Sequence, residues 1–196
     1  APCLIEQTLC QPNNEMPQLA GTVDYAKAVL DAWRDDEADG EVAWNVEWTS
    51  VTYEDADSTP LYGHWIRPCD IVANSAVLFL HTGAGPHDLF LLWKAASLIQ
   101  NVPGQVLIAD VLSDETGWSW NKDRSRFNAS RDELLKVKGN ERPVLQSRLH
   151  AALDVVEKHG LKCQGAFGWC LGGHGVSELA RMDSTLSAMV TFHGVF

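Results

Sequence analysis

Positive charge is scarce in this 196-residue chain: 15 Lys and Arg stand against 26 Asp and Glu, a formal net charge of -11. Nucleic-acid binding needs Lys and Arg clustered against phosphates, and that supply is missing. Long apolar runs are also missing. The longest, around Ile71–Leu80, is broken by Asn74 and Ser75, well short of the roughly 20 residues a membrane-spanning helix needs. No Cys-x-x-Cys pair exists among Cys3, Cys10, Cys69, Cys163 and Cys170, which argues against a zinc ribbon or a thioredoxin-type site. An odd, scattered set of cysteines does not read as a disulfide framework, although Cys3 and Cys10 could bridge in an oxidising compartment. There is no internal repeat or low-complexity tract.

The chain opens on Ala1 without a basic segment followed by an apolar one, so it is expected to be processed, trimmed or partial, with no signal peptide in view. The sequence assigns no compartment. A soluble cytoplasmic or organellar protein is expected over a secreted one. The Asn128-Ala129-Ser130 sequon would matter only in a secreted protein.

What is present describes a globular protein: 45% hydrophobic and 21% charged residues. Residues 1–20 carry three prolines and two adjacent asparagines and read as an arm. Val23, Ala26, Val29, Leu30 and Trp33 then fall at helical spacing, before the acidic stretch Asp35–Glu41, a solvated surface. We therefore expect an N-terminal arm and helix over 1–43 and one domain over 44–196.

That domain begins with a strand over Trp44–Tyr53 and a hairpin partner over Leu61–Ile66, joined through Asp57-Ser58-Thr59-Pro60. The pattern then changes. Ala76–Leu80 is a short continuous apolar run, which suits a strand of a parallel sheet covered on both faces, and Val106–Ala109, Gly165–Trp169 and Ser187–Phe192 read as further strands. Helical segments over Asp88–Gln100, Glu133–Lys138, Pro143–His159 and Leu171–Met182 alternate with them, around a polar Trp-bearing loop over Asp114–Phe127. In Pro143–His159 the residues Leu145, Leu149, Ala152 and Val156 form one stripe, and Gly160 follows as a cap. This alternation predicts an α/β fold with a mostly parallel sheet.

The chemistry concentrates in Gly168-Trp169-Cys170-Leu171-Gly172-Gly173, between an apolar strand and a helix. A nucleophile on a sharp strand-to-helix turn needs a strained backbone, and its neighbours two residues away must lack a bulky Cβ. Gly168 and Gly172 meet that need. The helix start behind Cys170 aims unpaired N–H groups and a positive dipole end at the sulfur. Earlier, His81-Thr82-Gly83-Ala84-Gly85 follows another apolar strand. With it, the backbone N–H groups of Gly83 and Leu171 are candidates for an oxyanion hole.

These motifs resemble the dienelactone hydrolase family of α/β-hydrolases, over roughly Val46 to Phe196. The resemblance implies an α/β-hydrolase fold and hydrolysis of a small ester or lactone, with Cys170 as nucleophile and an acyl-thioester intermediate. No cofactor is implied. His64, His81, His87, His174 and His193 show no metal-ligand spacing. Thr82, Trp118, Trp169 and His193 are placed to line a pocket. Trp118 and Trp120 could equally pack the loop onto the body, and Asp110 reads as structural.

The sequence departs from the family pattern in two places. Thr82 stands where a glutamate holds the resting cysteine, and Ser113-Asp114 stand where an arginine binds the substrate carboxylate. The order of this fold also places an acid and then a histidine after the nucleophile. The residues after Cys170 are taken up by one helix and one strand, and another strand-helix-strand unit needs about 30 residues. The sheet is thus expected to be incomplete at its C-terminal side, with the acid and histidine beyond Phe196. Asp183, at the far end of the helix, and His193, a loop histidine, do not fill those roles. A second reading is a non-catalytic hydrolase-like subunit, with a protein partner covering the open sheet edge.

Overall fold

The computed structural model describes residues 46–69, 73–114, 117–119, 124–182 and 185–194. The expected arm and helix of 1–43, with Cys3, Cys10, Trp120 and Asp183, lie outside the described residues. Among the described residues six strands form one sheet: β1 (Val46–Glu54), β2 (Pro60–Pro68), β3 (Ser75–Leu80), β4 (Gln105–Ala109), β5 (Lys162–Trp169) and β6 (Ala188–Phe192), in the order β1-β2-β4-β3-β5-β6. β1 and β2 form an antiparallel hairpin with Val51 opposite Gly63. Asp55 shapes its turn: one carboxylate oxygen accepts the N–H groups of Asp57 (3.0 Å) and Thr59 (2.9 Å), the local competition that makes Asp a turn residue. β2 runs antiparallel to β4, and β4, β3, β5 and β6 are mutually parallel.

Among the described residues four α-helices flank the sheet: α1 (Leu89–Asn101), α2 (Phe127–Leu135), α3 (Pro143–Lys158) and α4 (Leu171–Arg181). On one face Leu91, Leu92, Ala95 and Ile99 of α1 pack with Ile66, Phe79, Val106 and Ile108. On the other, Leu145, Leu149 and Ala152 of α3 join Val176 and Leu179 of α4 over Leu78, Leu80, Leu107 and Ala109. The strand alternation sorts these two sets, because successive side chains leave opposite faces. Pro143 opens α3 and Gly160, at φ 71, follows its end, as the sequence pattern indicated.

One segment differs from expectation. The helix predicted over Glu133–Lys138 lies instead over Phe127–Leu135. Leu134 is buried at 1% exposure and Phe127 packs against Trp118 at 6.4 Å between ring centroids. The helix stops at Lys136, extended at φ -57 and ψ 125, and Lys138 and Glu141 close a tight turn around Gly139 at φ 69. The short apolar content left the helix frame open, and two anchors, the buried Leu134 and the half-buried Phe127, set it further toward the N-terminus. Cys69, past the end of β2, is disulfide-bonded, whereas Cys163 and Cys170 are free.

Candidate active site

β3 lies between β4 and β5, so the crossover after β3 goes to one side and the chain later returns to the other. That reversal is where an open α/β sheet forms a crevice at the carboxyl ends of its strands. Leu80, the last residue of β3, pairs with Gly168 of β5, so His81–Gly83 and Trp169–Leu171 leave the sheet side by side.

Cys170 occupies the turn from β5 into α4 at φ 52 and ψ -109, a region L-residues rarely adopt, and the residue is exposed. Its own N–H donates to the Phe192 carbonyl of β6 (2.9 Å) and its carbonyl accepts from Gly173 (3.0 Å). The glycines on either side are required by contact. A Cβ on Gly168 would lie 2.2 Å from the Gly172 carbonyl oxygen, and one on Gly172 would lie 2.1 Å from the Leu80 carbonyl oxygen. Among the described residues, no side chain hydrogen-bonds the Cys170 thiol, and the N–H groups of Gly83 and Leu171 donate to no protein group. Gly83 and Leu171 are both buried. Buried N–H groups without a partner are rare in folded proteins and need an explanation.

The glycine-rich loop is held from several sides. Thr82 Oγ1 accepts the Ala84 N–H (3.0 Å) and donates to Asp88 (3.4 Å), and Asp88 caps α1 by accepting the Phe90 N–H (3.0 Å). Burial raises the Asp88 carboxyl above its ordinary pKa, against the pull of those hydrogen bonds. Trp118, at 1% exposure, donates its indole N–H to the Gly83 carbonyl at 2.9 Å. Gly85 sits at φ 104, and a Cβ there would lie 2.0 Å from the Trp118 carbonyl oxygen. Trp169 is nearly buried, stacked on Phe192 at 5.1 Å and edge-on to Phe79 at 4.9 Å. His193, at φ 54, is exposed where β6 ends. Ser113 donates to the Pro60 carbonyl (2.8 Å), and Asp114 faces Arg126 at 3.6 Å.

Beneath the loop lies a polar knot. His81 is fully buried, with Nδ1 2.6 Å from the Thr82 carbonyl oxygen and Nε2 3.2 Å from Asp110 Oδ1 and 3.0 Å from the Val111 N–H. Burial pushes the Asp110 carboxyl up, but His81 and the N–H groups of Ser113 and Leu112 outweigh it and hold its pKa below the usual value. Alongside, Trp48 donates to His64 Nδ1 (3.0 Å), and His64 Nε2 lies 2.7 Å from His87 Nδ1. Since an indole N–H only donates, His64 must donate through Nε2 to His87. Burial, then the neighbouring His87, depress the His64 pKa to about 3, against the opposite pull of Asp110. His64 and His87 are distant in sequence, so no local pattern announces their pairing. His81 directly before a glycine-rich loop and Asp110 at the end of the adjacent strand were legible signals, because both mark carboxyl ends of strands.

No family model matches the sequence, and no curated protein matches it either. Solved structures do. A dienelactone hydrolase-like promiscuous phosphotriesterase from metagenomic libraries is 24% identical with TM-score 0.58, over 76% of this chain and 60% of that one. A cold-adapted esterase from an Arctic intertidal metagenomic library is 18% identical with TM-score 0.60, over 77% and 62%. A dienelactone hydrolase from Anabaena variabilis is 22% identical with TM-score 0.55, over 75% and 63%. The match thus spans about three fifths of the length of these structures. At such identities the likeness establishes the fold: this sheet and its helices are of the α/β-hydrolase type. No helix among the described residues is long and apolar enough to cross a membrane.

Proposed function

We propose that this chain carries the nucleophile and oxyanion-binding half of a hydrolase for small carboxylic esters or lactones. The observation that carries the reading is Cys170 itself: an exposed thiol on a strained turn at φ 52 and ψ -109, at the start of α4 and between two glycines that contact backbone. Fold alone does not assign an activity. The elbow, the unpaired N–H groups beside it and the esterase and dienelactone hydrolase neighbours support one together.

In this reaction the Cys170 thiolate adds to the substrate carbonyl carbon, and the oxygen that becomes negative lies between the N–H groups of Gly83 and Leu171. The tetrahedral adduct collapses, the acyl carbon–oxygen bond breaks, and the alcohol leaves while the acyl group stays on sulfur. With a lactone the alcohol remains tethered to that acyl group. Water then attacks the thioester and releases the acid, with proton transfers assigned by the resemblance to a histidine later in the chain order. Thr82 and Ser113-Asp114, in place of a glutamate and an arginine, favour an uncharged ester over an anionic dienelactone.

The test is acylation by p-nitrophenyl acetate with Cys170→Ala alongside. One equivalent of p-nitrophenolate should appear in a burst, with an acetyl group mapped to Cys170. An intact, folded protein that gains no acetyl group on Cys170 overturns the reading.

A further inference from the structure

Gly83 poses a mechanical problem. A peptide N–H can serve an oxyanion only if its direction is fixed, yet glycine imposes almost no restriction on its own backbone. Rotation about the bonds flanking the Thr82–Gly83 peptide would turn that N–H out of the site with little resistance. Something must hold the peptide plane.

We propose that His81 is the positioning residue that aims the Gly83 N–H, through the carbonyl of Thr82. The two groups belong to one peptide unit, which is trans and planar, so the C=O and the N–H point in opposite directions. Fixing one fixes the other. The Thr82 oxygen is held twice, by His81 Nδ1 at 2.6 Å and by the Gly85 N–H at 3.2 Å.

The direction of the first bond follows from elementary chemistry. A carbonyl oxygen only accepts, so Nδ1 carries a proton whatever Nε2 does. The ring cannot swing, being fully buried with Nε2 lodged between the Val111 N–H (3.0 Å) and Asp110 Oδ1 (3.2 Å). Asp110 is itself fixed by the N–H groups of Leu112 (3.0 Å) and Ser113 (3.2 Å). The loop after β4 thereby holds the ring that holds the loop after β3. The next peptide is braced separately, by Trp118 on the Gly83 carbonyl.

This inference rests on the proposed acyl chemistry of Cys170, and its test separates the two. His81→Asn places an amide N–H near the Nδ1 position, whereas His81→Gln reaches toward the Nε2 position and leaves the Thr82 carbonyl without its side-chain donor. Two reactions of Cys170 are followed in each folded variant. Acetylation by p-nitrophenyl acetate develops an oxyanion; alkylation by iodoacetamide displaces iodide and develops none.

His81→Gln should slow acetylation about tenfold to a hundredfold while alkylation stays within about twofold. His81→Asn should recover most of the acetylation rate. Equal loss of both reactions in His81→Gln, no loss of acetylation, or an Asn variant as slow as the Gln variant would each overturn the positioning role. If the unmodified protein is alkylated but never acetylated at Cys170, the acyl-transfer reading fails first and takes this inference with it.

Discussion

A Cβ built on Gly172 would sit 2.1 Å from the carbonyl oxygen of Leu80, so the first turn of α4 rests directly on the end of β3. This contact joins the turn bearing Cys170 to the strand that launches the His81–Gly83 loop. The obstacle is backbone, which cannot rotate aside as a side chain can. Gly172→Ala should therefore push α4 off the sheet and destabilise the fold by roughly 3 kcal/mol. Gly104→Ala is the control: its nearest neighbour is the Ser75 oxygen at 3.8 Å, ordinary contact, and the change should stay within about 0.5 kcal/mol. Urea denaturation of both variants checks the contrast. Equal midpoints would refute the close approach.

The thiols should separate in reactivity. Cys170 is exposed, while Cys163 is part-buried, its thiol bonded to the Gly165 carbonyl at 3.5 Å and its pKa pushed up to about 11, chiefly by burial. At pH 8 only about one Cys163 in a thousand is thiolate. Iodoacetamide should label Cys170 first and Cys163 far more slowly, with Cys69 silent until its disulfide is reduced. Peptide mapping over time checks the order, and Cys163 labelled ahead of Cys170 contradicts it.

Acid should weaken the fold through His64 before most carboxylates respond. Unfolded, a histidine takes up a proton near pH 6.5. Folded, His64 resists protonation down to about 3, since it is buried beside His87 and its Nδ1 is occupied by the Trp48 N–H. The unfolded state therefore binds more protons between these values, and stability present above pH 6.5 is lost as pH falls toward 3. At pH 5 the loss from this one group is about 2 kcal/mol. Asp110, whose pKa is also depressed, adds its own loss only at lower pH, below the ordinary carboxylate range. His64→Leu should lower stability at pH 7 yet flatten its decline between pH 7 and 5, as read from urea midpoints at each pH. Parallel profiles would dismiss His64 as the source.

The elbow was legible because every part of it is local. Gly168, Cys170 and Gly172 follow one another at fixed spacing, and the strand and helix on either side carry distinct apolar periods. The six strands were legible for the same reason, with ends displaced by only a few residues. The frame of α2 was not, because its anchors are contacts with Trp118 and the core, absent from a nine-residue window of mixed polarity. The partnership of His64 and His87 joins β2 to the loop before α1 and exists only once β2 lies against β4. The bond from Trp118 to Gly83 likewise spans two loops brought together by the parallel order of β3 and β4. Local chemistry announced the strained turn that bears Cys170, whereas the supports beneath it belong to the tertiary structure.

The helix that carries Cys170 also buries a charge. Glu178 of α4 has no exposure, and its carboxylate accepts from Arg142 (2.9 Å) and Gln146 (2.7 Å), with Arg181 at 3.9 Å. Arg142 is the principal cation, its side chain 24% exposed, and its Nε is buried with no hydrogen-bond partner among the described residues. Such a pair is poor evidence of net stability, because desolvating two charges consumes much of their attraction. Breaking it from one side is a different matter. Arg142→Met would leave the Glu178 carboxylate buried with Gln146 as its only close donor among the described residues, and should destabilise the fold by about 2–3 kcal/mol, less than a fully buried pair because Arg142 retains some solvent. Glu178→Met in that background removes the stranded charge and should return much of the loss. Urea unfolding of the two single variants and the double variant forms a closed cycle that isolates the coupling. A double variant less stable than Arg142→Met alone would show that Glu178 supports α4 through packing or Gln146, and not through its pairing with Arg142.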